Sequence, residues 1–362
     1  MPQILRRQIL NEVLELRSSA SENLKDVETA YLRFPIPDAE AKATIVVEID
    51  GPALCGRLPV VGWETSQPLL ADALRSWQVK TLANRLVLAA IRRDHDVLHG
   101  CAVETAVGAI ALIGGSGTGK STLALELGRF GYPLLCEGQI PIERVTGLVK
   151  PFPRGFEMFR ETAGALAAGG FRSEEKVTVP APLVPSRSAS ALHSIVFLQE
   201  LFPGTSRQTI EVGCAPQEKV PVIEFLRDRG AYDMVDDTRD RRTLVRCRFD
   251  PWAGHDLDGL FRGIAERGLR PLFLSCAPVT PPDWGRPLVA TRINSTMATL
   301  GVAANASLTT LRLPACESDS GILARFSCYA DKAQAYLLVN GALSERTRWI
   351  MDRLPATGVT SC

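Results

Sequence analysis

One short run of residues sets the architecture of this chain: Gly114-Gly115-Ser116-Gly117-Thr118-Gly119-Lys120-Ser121-Thr122. It fits the pattern G-x-x-x-x-G-K-[ST], in which a glycine-rich loop surrounds a phosphate group. The apolar run at residues 109–113 directly precedes it and predicts a buried strand. A helix is predicted to begin at Ser121, with Gly131 as its C-terminal cap. Strand, loop and helix in this order place main-chain N–H groups and a helix N-terminus around a phosphate.

Each residue type in this loop has a physical task. The four glycines permit backbone angles and close approaches that a Cβ atom would block. Lys120 can place its ammonium against the β- and γ-phosphates of a nucleotide, and the Ser121 hydroxyl can ligate a bridging Mg²⁺. Residues 114–122 therefore predict binding of ATP or GTP together with Mg²⁺.

Composition limits the class of protein. The 362 residues are 46% hydrophobic and 22% charged, which is typical of globular proteins, and a net charge of +1 gives no general attraction to nucleic acid or membranes. The apolar runs are too short to span a bilayer and the N-terminus has no signal-peptide core, so a cytoplasmic protein is expected. The nine cysteines and four histidines are scattered and predict neither a disulfide framework nor a zinc site.

The pattern of apolar and polar residues divides the chain into three segments. Residues 1–95 are predicted to form an N-terminal region of mixed helices and strands, with an amphipathic helix in residues 1–25, a strand at 43–49 and a long helix at 67–93. Residues 96–250 are predicted to form the nucleotide-binding core. Residues 251–362 carry no recognisable motif, and their role is open. The expected fold class is mixed α/β.

Within the core, several short elements are predicted around the glycine loop. A hairpin leads into the loop, and a second hairpin and two further strands follow it, in the order 101–105 with 109–113, 133–136, 140–144 with 148–150, and 194–198. Residues 194–198 resemble the strand that carries the Walker B acidic residue in proteins with this loop, but Gln199 stands at the first polar position after the strand. Glu200, which follows it, is the remaining candidate for that acidic residue. The mixed charges from Asp233 to Arg242 predict an exposed loop.

The surroundings of the glycine loop carry a family resemblance. His99-Gly100 precedes the hairpin, the loop lies in a β-rich core, and Pro153-Arg154 follows the second hairpin. With these features, residues 98–156 resemble the HPr kinase/phosphorylase group, whose fold is similar to that of phosphoenolpyruvate carboxykinases. Glu137-Gly138 occupies the place where that group has two aspartates.

The resemblance implies an ATP-dependent phosphotransferase that acts on a hydroxyl, in that group a serine, of a protein, peptide or small molecule. It implies that Glu137 is the base and, with Ser121, a Mg²⁺ ligand, and that His99 lies at the transferred group. It also implies that Arg154 pairs with phosphate and that the protein is a homo-oligomer.

The departure at Gly138 leaves other functions open. A chain without the second aspartate is also consistent with a nucleotide-binding regulatory or scaffold protein that has lost phosphotransfer. A third alternative is an ATPase that drives a partner's reaction, with water as the phosphate acceptor. Phosphoryl transfer depends on positioning, and a displacement of about 1 Å can cost about a hundredfold in rate.

Overall fold

The structure is a computed structural model with a mixed α/β architecture. It describes the following residues: 3–69, 72–115, 118–159, 176–179, 186, 188–199, 208–239, 242–249, 260, 263, 267, 269, 273–277, 285–307 and 319–354. In these parts of the chain, no helix is long and apolar enough to cross a membrane. Glu200 and the proline-rich segments 180–185 and 278–282 lie outside the described residues.

The described part of the N-terminal region contains a five-stranded sheet and two α-helices. Its strands, in spatial as well as chain order, are β1 (Gln3–Ile9), β2 (Glu12–Ser18), β3 (Ile45–Asp50), β4 (Ala53–Leu58) and β5 (Trp63–Pro68). Its helices are α1 (Lys25–Ala30) and α2 (Asp72–Ile91). The predicted strand and long helix are confirmed, although the helix begins at Asp72 instead of Gln67.

The helix predicted in residues 1–25 is wrong over most of that range. Residues 3–18 form the antiparallel pair β1 and β2, which turns at Leu10 with a left-handed φ of 54°. Six of the seven β2 residues are buried, so apolar side chains occupy both faces of this inner strand. The apolar pairs at residues 4–5, 9–10 and 13–14 recur every four or five positions, which is close to one helical turn, so the pattern predicts a helix.

Within the described residues, the central sheet has eight strands. They are β6 (His95–Thr105), β7 (Gly108–Ile113), β8 (Leu134–Cys136), β9 (Gln139–Glu143), β10 (Leu148–Val149), β13 (Ser190–Leu198), β18 (Val289–Ile293) and β19 (Gln334–Val339). The spatial order is β10-β9-β6-β7-β13-β19-β18, with β8 also beside β6. The hairpins β6–β7 and β9–β10 and the strands β8 and β13 confirm the predicted elements of the core.

Three neighbouring strands of this sheet run parallel, namely β7, β13 and β19. Their carboxyl ends therefore meet at one edge. Side chains of β7 alternate between two hydrophobic clusters, because Ile110 and Leu112 face one cluster while Ala109, Ala111 and Ile113 face the other. Both faces of β7 are thus buried, which explains the continuous apolar run before the glycine loop.

Helices cover both faces of the central sheet. They are α3 (Lys120–Arg129), α5 (Ser295–Ser307), α6 (Asp319–Lys332) and α7 (Leu343–Met351). Residues of α3 and α7 share one cluster, and α5 and α6 pack with α2 in the other. Elements of all three sequence segments therefore contribute to the two clusters around this sheet.

Two smaller sheets complete the described structure. One pairs β11 (Phe156–Phe159) with β12 (Lys176–Val179), and the other contains β14 (Gln208–Cys214), β15 (Tyr232–Arg239), β16 (Arg242–Phe249) and β17 (Phe273–Ala277), with helix α4 (Lys219–Asp228) packed on it. The expectation of a charged loop from Asp233 to Arg242 is wrong, since most of that range is strand. Of the charged side chains that the structure describes in this range, Asp233 and Asp236 on β15 are exposed, and Asp233 pairs with Arg248 at 3.1 Å.

Candidate functional site

The glycine loop lies at the carboxyl edge of the parallel strands. β7 ends at Ile113 and α3 begins at Lys120, so the loop joins a central strand to a helix N-terminus. Gly119 has a left-handed φ of 89°, and a Cβ on Gly114 would lie 2.7 Å from the Leu198 carbonyl oxygen. Both positions therefore require glycine. Ser116 and Gly117, at the middle of the loop, lie outside the described residues.

Lys120 folds back into this loop. Its Nζ donates to the carbonyl oxygens of Gly114 at 2.8 Å and Gly115 at 2.6 Å, and the side chain is buried. Thr118 Oγ1 also donates to the Gly115 carbonyl, at 2.9 Å. The ammonium is thus held within the loop where its charge can face a phosphate. Thr122 lies half-buried in the first turn of α3.

Glu137 lies immediately beside the start of α3. Its carboxyl group is buried and accepts two hydrogen bonds, one at Oε1 from Ser121 Oγ and one at Oε2 from Cys101 Sγ, both at 2.8 Å. Cys101 Sγ is also 3.8 Å from Ser121 Oγ. Two residues that are 36 and 16 positions away from Glu137 in the sequence therefore converge on its carboxyl group.

The electrostatics of Glu137 suit proton exchange near neutral pH. Burial raises the pKa of Glu137 to about 7, against the opposing effects of the hydrogen bonds from Cys101 and Ser121 and the charges of Arg154 and Lys120. Burial, together with the Glu137 charge, also raises the pKa of the Cys101 thiol, which keeps it a proton donor. A carboxyl group with a pKa close to the working pH is well matched to general acid–base chemistry.

Gly138 shapes the chain beside this carboxyl group. Its φ of 73° is left-handed, and a Cβ there would lie 3.6 Å from Nη1 of Arg154. Arg154 is itself buried, with its guanidinium 5.6 Å from the centre of the Tyr31 ring. The structure therefore brings Arg154 to the site, and Tyr31 from the N-terminal region packs against it.

His99 lies on the same strand as Cys101. It is half-buried on β6, opposite Gln139 of β9, and its main-chain N–H donates to Oδ1 of Asn305 at 2.9 Å. Side chains two residues apart share a face of a strand, so His99 and Cys101 are on the same side of β6. Asn305 belongs to α5, which brings the segment after residue 250 to this end of the sheet.

Sequence reasoning missed Cys101 and Arg346. Cys101 could have been found, because the predicted hairpin places it on a strand two residues after His99, and the two side chains therefore share one face of that strand. Arg346 gave no local signal, yet it is buried on α7 and its Nη1 donates to the Thr118 carbonyl oxygen at 3.1 Å. The contact joins positions 228 residues apart.

The geometry of Ser121 and Glu137 fits Mg²⁺. Their facing oxygens are 2.8 Å apart, and adjacent ligands of an octahedral Mg²⁺ with bonds of about 2.1 Å are separated by about 3 Å. Among the described residues, no group of three or more His, Cys, Asp or Glu side chains is placed to hold a metal. Mg²⁺ would thus depend here on one carboxylate, one hydroxyl and ligands from substrate phosphates, a common arrangement for this ion.

Comparison with protein-family models and with curated proteins finds no match to this chain.

Proposed function

We propose that this protein binds Mg²⁺ with ATP or GTP at residues 114–122 and transfers the γ-phosphoryl group to a hydroxyl, as the resemblance to HPr kinase implies. One observation carries the proposal. Lys120, Ser121 and Glu137 converge at the carboxyl edge of parallel strands, with the Ser121 hydroxyl 2.8 Å from the Glu137 carboxylate. A strand-to-loop-to-helix junction of this kind binds phosphates.

Each of these residues has a separate role in the proposed phosphoryl transfer. The loop amides and Lys120 bind the β- and γ-phosphates, and Ser121 and Glu137 supply the protein ligands of Mg²⁺. The ion, when bound, neutralises charge on the phosphates. As the acceptor oxygen bonds to the γ-phosphorus, its proton passes to the Glu137 carboxylate. The bond from phosphorus to the bridging oxygen breaks, and the nucleoside diphosphate leaves.

Other parts of the proposal follow from the same resemblance. Residues 96–250 would form a P-loop core of the HPr kinase type, with His99 at the transferred group and Arg154 pairing with phosphate. The acceptor would be a serine or another hydroxyl of a protein, peptide or small molecule. We also infer a cytoplasmic homo-oligomer without nucleic-acid or membrane partners.

A second function is favoured by Gly138. This position has no carboxylate, and its φ of 73° favours glycine over the aspartate of the HPr kinase group. Glu137 would then be the sole acidic group of the motif. A regulatory or scaffold protein that binds Mg·ATP without consuming it is consistent with this arrangement, and an ATPase is the third candidate.

One experiment separates the three. The protein is incubated with γ-labelled ATP, Mg²⁺ and a panel of serine peptides, proteins and small hydroxyl compounds, and both transferred label and free phosphate are measured. The proposal expects label on an acceptor and loss of that transfer in Glu137→Gln. Phosphate release without an acceptor would identify the ATPase, and tight binding without any turnover would identify the regulatory protein.

A further inference from the structure

The buried Arg346 connects three elements at the nucleotide edge of the sheet. Its side chain is almost completely buried, at 1% exposure. Nη1 donates to the Thr118 carbonyl at 3.1 Å, Nη2 to Gln199 Oε1 at 3.0 Å, and Nε to the Asn340 carbonyl at 2.8 Å. One guanidinium thus links the glycine loop to the ends of β13 and β19.

Gln199 orients this guanidinium. Gln199 Oε1 accepts a hydrogen bond from the main-chain N–H of Asn340 at 3.0 Å, in addition to the one from Arg346. The main-chain N–H of Gln199 donates to the Leu338 carbonyl oxygen at 2.7 Å. Gln199 and Asn340 both have left-handed backbones, with φ values of 72° and 56°. Such conformations are uncommon for residues other than glycine, so the surrounding contacts hold both strand ends in place.

Helix α7 packs against α3. Leu123 and Leu127 of α3 share a buried cluster with Ile350 and Leu354. Close to the end of α7, the Tyr132 hydroxyl donates to the Leu354 carbonyl oxygen at 2.7 Å. Arg346 therefore projects toward Thr118 from a helix that is fixed against the loop helix.

We propose that Arg346, oriented by Gln199, is a positioning residue that holds the glycine loop in its nucleotide-accepting conformation. The inference rests on the proposed function. In a planar trans peptide, the C=O and the following N–H point in opposite directions. Fixing the Thr118 carbonyl toward Arg346 therefore fixes the direction of the Gly119 N–H, one of the loop amides that would bind phosphate.

Two substitutions at Gln199 test this role. Gln199→Asn shortens the side chain by one methylene and withdraws the acceptor from Arg346, while asparagine tolerates the left-handed backbone. Gln199→Glu retains an acceptor oxygen at the original length and is the matched control. The dissociation constant for Mg·ATP is measured by calorimetry, and the melting temperature without nucleotide is measured in parallel.

We expect Gln199→Asn to weaken Mg·ATP binding by the folded protein by about tenfold, the effect of losing one hydrogen bond to a charged group. The nucleotide-free melting temperature should fall by only a few degrees, roughly 2–4 °C per kcal/mol lost, because Arg346 and the Asn340 N–H lose one buried acceptor. Gln199→Glu should bind nearly as tightly as wild type. A folded Gln199→Asn that binds like wild type, or an equal loss in Gln199→Glu, would overturn the positioning role alone.

Two further outcomes are decisive. If wild-type protein itself binds no Mg-nucleotide, the proposed function fails and this inference fails with it. If Gln199→Asn does not fold, the same titration is made with Arg346→Lys, for which about tenfold weaker binding is again expected. Loss of the fold in both variants would overturn the inference, because the hydrogen bonds of Arg346 and Gln199 would then stabilise the whole sheet instead of orienting the loop.

Discussion

At the scale of single residues, Glu137 gives the protein a characteristic dependence on pH. Burial raises its pKa from an ordinary value of 4.5 to about 7. The folded state therefore binds this proton more tightly than the unfolded chain does, and the resulting stabilisation is complete below pH 4.5 and is lost as the pH rises through about 7. Glu137→Gln removes this titration. The free energy of unfolding of the variant, relative to that of wild type, should therefore increase by roughly 3 kcal/mol between pH 4.5 and about pH 7.

The free energy of unfolding, measured in urea from about pH 4 to pH 8 without nucleotide and with a metal chelator, checks this prediction. Glu126→Gln is the control, because it removes a carboxylate from the flank of α3, where Glu126 pairs with Arg129 at 3.1 Å. Parallel pH profiles for wild type and Glu137→Gln would contradict the account of Glu137.

Gly138 allows a test of the metal assignment. Gly138→Asp introduces a carboxylate at the position where the proposed resemblance to the HPr kinase group implies a second aspartate, and Gly138→Asn has the same shape without the charge. Both should lose about 1 kcal/mol of stability, because the φ of 73° is left-handed. In a titration of Mg²⁺-dependent nucleotide binding, the Asp variant should bind Mg²⁺ more tightly than the Asn variant. Equal midpoints would show that this turn does not face the metal.

Most residues of the candidate site were visible in the sequence, because the glycine loop is a local pattern. Lys120 and Ser121 belong to it, and the resemblance added Glu137 and Arg154. Arg346 was not visible, since nothing near it on the chain indicates a contact with Thr118. A side chain's role in a site is predictable when the site is made by one segment, and is not when a distant helix completes it.

At the scale of elements, a buried ion-pair network fastens α6 to β6. Oδ2 of Asp96 accepts from Arg325 Nε at 2.7 Å and from the Tyr329 hydroxyl at 2.8 Å, and Oδ1 accepts from Arg325 Nη2 at 2.9 Å. Burial by itself raises the pKa of Asp96, but these hydrogen bonds and the charges of Arg325 and Arg144 more than offset it and lower the pKa.

Asp96→Asn should therefore cost about 2 kcal/mol, the usual effect of weakening hydrogen bonds between charged groups, because the Arg325 side chain is 21% exposed and keeps partial contact with water. The loss should be seen at neutral pH and should shrink in acid, because a lowered pKa contributes stability only while the group is ionised. Tyr329→Phe, which removes one hydrogen bond, should cost about 1 kcal/mol. Urea unfolding at neutral and at acidic pH measures the stability of both variants. A loss in Asp96→Asn that is the same at both pH values would contradict this account of the network.

The elements around the glycine loop were predicted well because their signals are local. An apolar run followed by glycines and a helix start is sufficient to define β7 and α3. The first two strands were misread as a helix for a physical reason. The apolar pairs at residues 4–5, 9–10 and 13–14 have the spacing of a helical turn, while the strand alternation in β2 extends over residues 14–17 alone.

At the scale of the whole molecule, the central sheet gathers strands from distant parts of the chain. β19, which begins at Gln334, pairs in parallel with β13, which begins at Ser190. Sequence patterns establish individual strands but not which of them pair over such distances. The contribution of the segment after residue 250 to this sheet, and through Arg346 and Asn305 to the site, could therefore be learned only from the structure.

The proposed function requires that residues 114–122 bind a Mg-nucleoside triphosphate. Calorimetric titration of wild-type protein and Lys120→Ala with Mg·ATP and Mg·GTP tests it most directly, with circular dichroism to show that the variant is folded. Wild type should bind at least one of the two nucleotides. Lys120→Ala should bind it about a hundredfold more weakly, because contacts of this kind are worth about 3 kcal/mol. Absence of binding by wild type at millimolar nucleotide, or equal affinity in folded Lys120→Ala, would contradict the account.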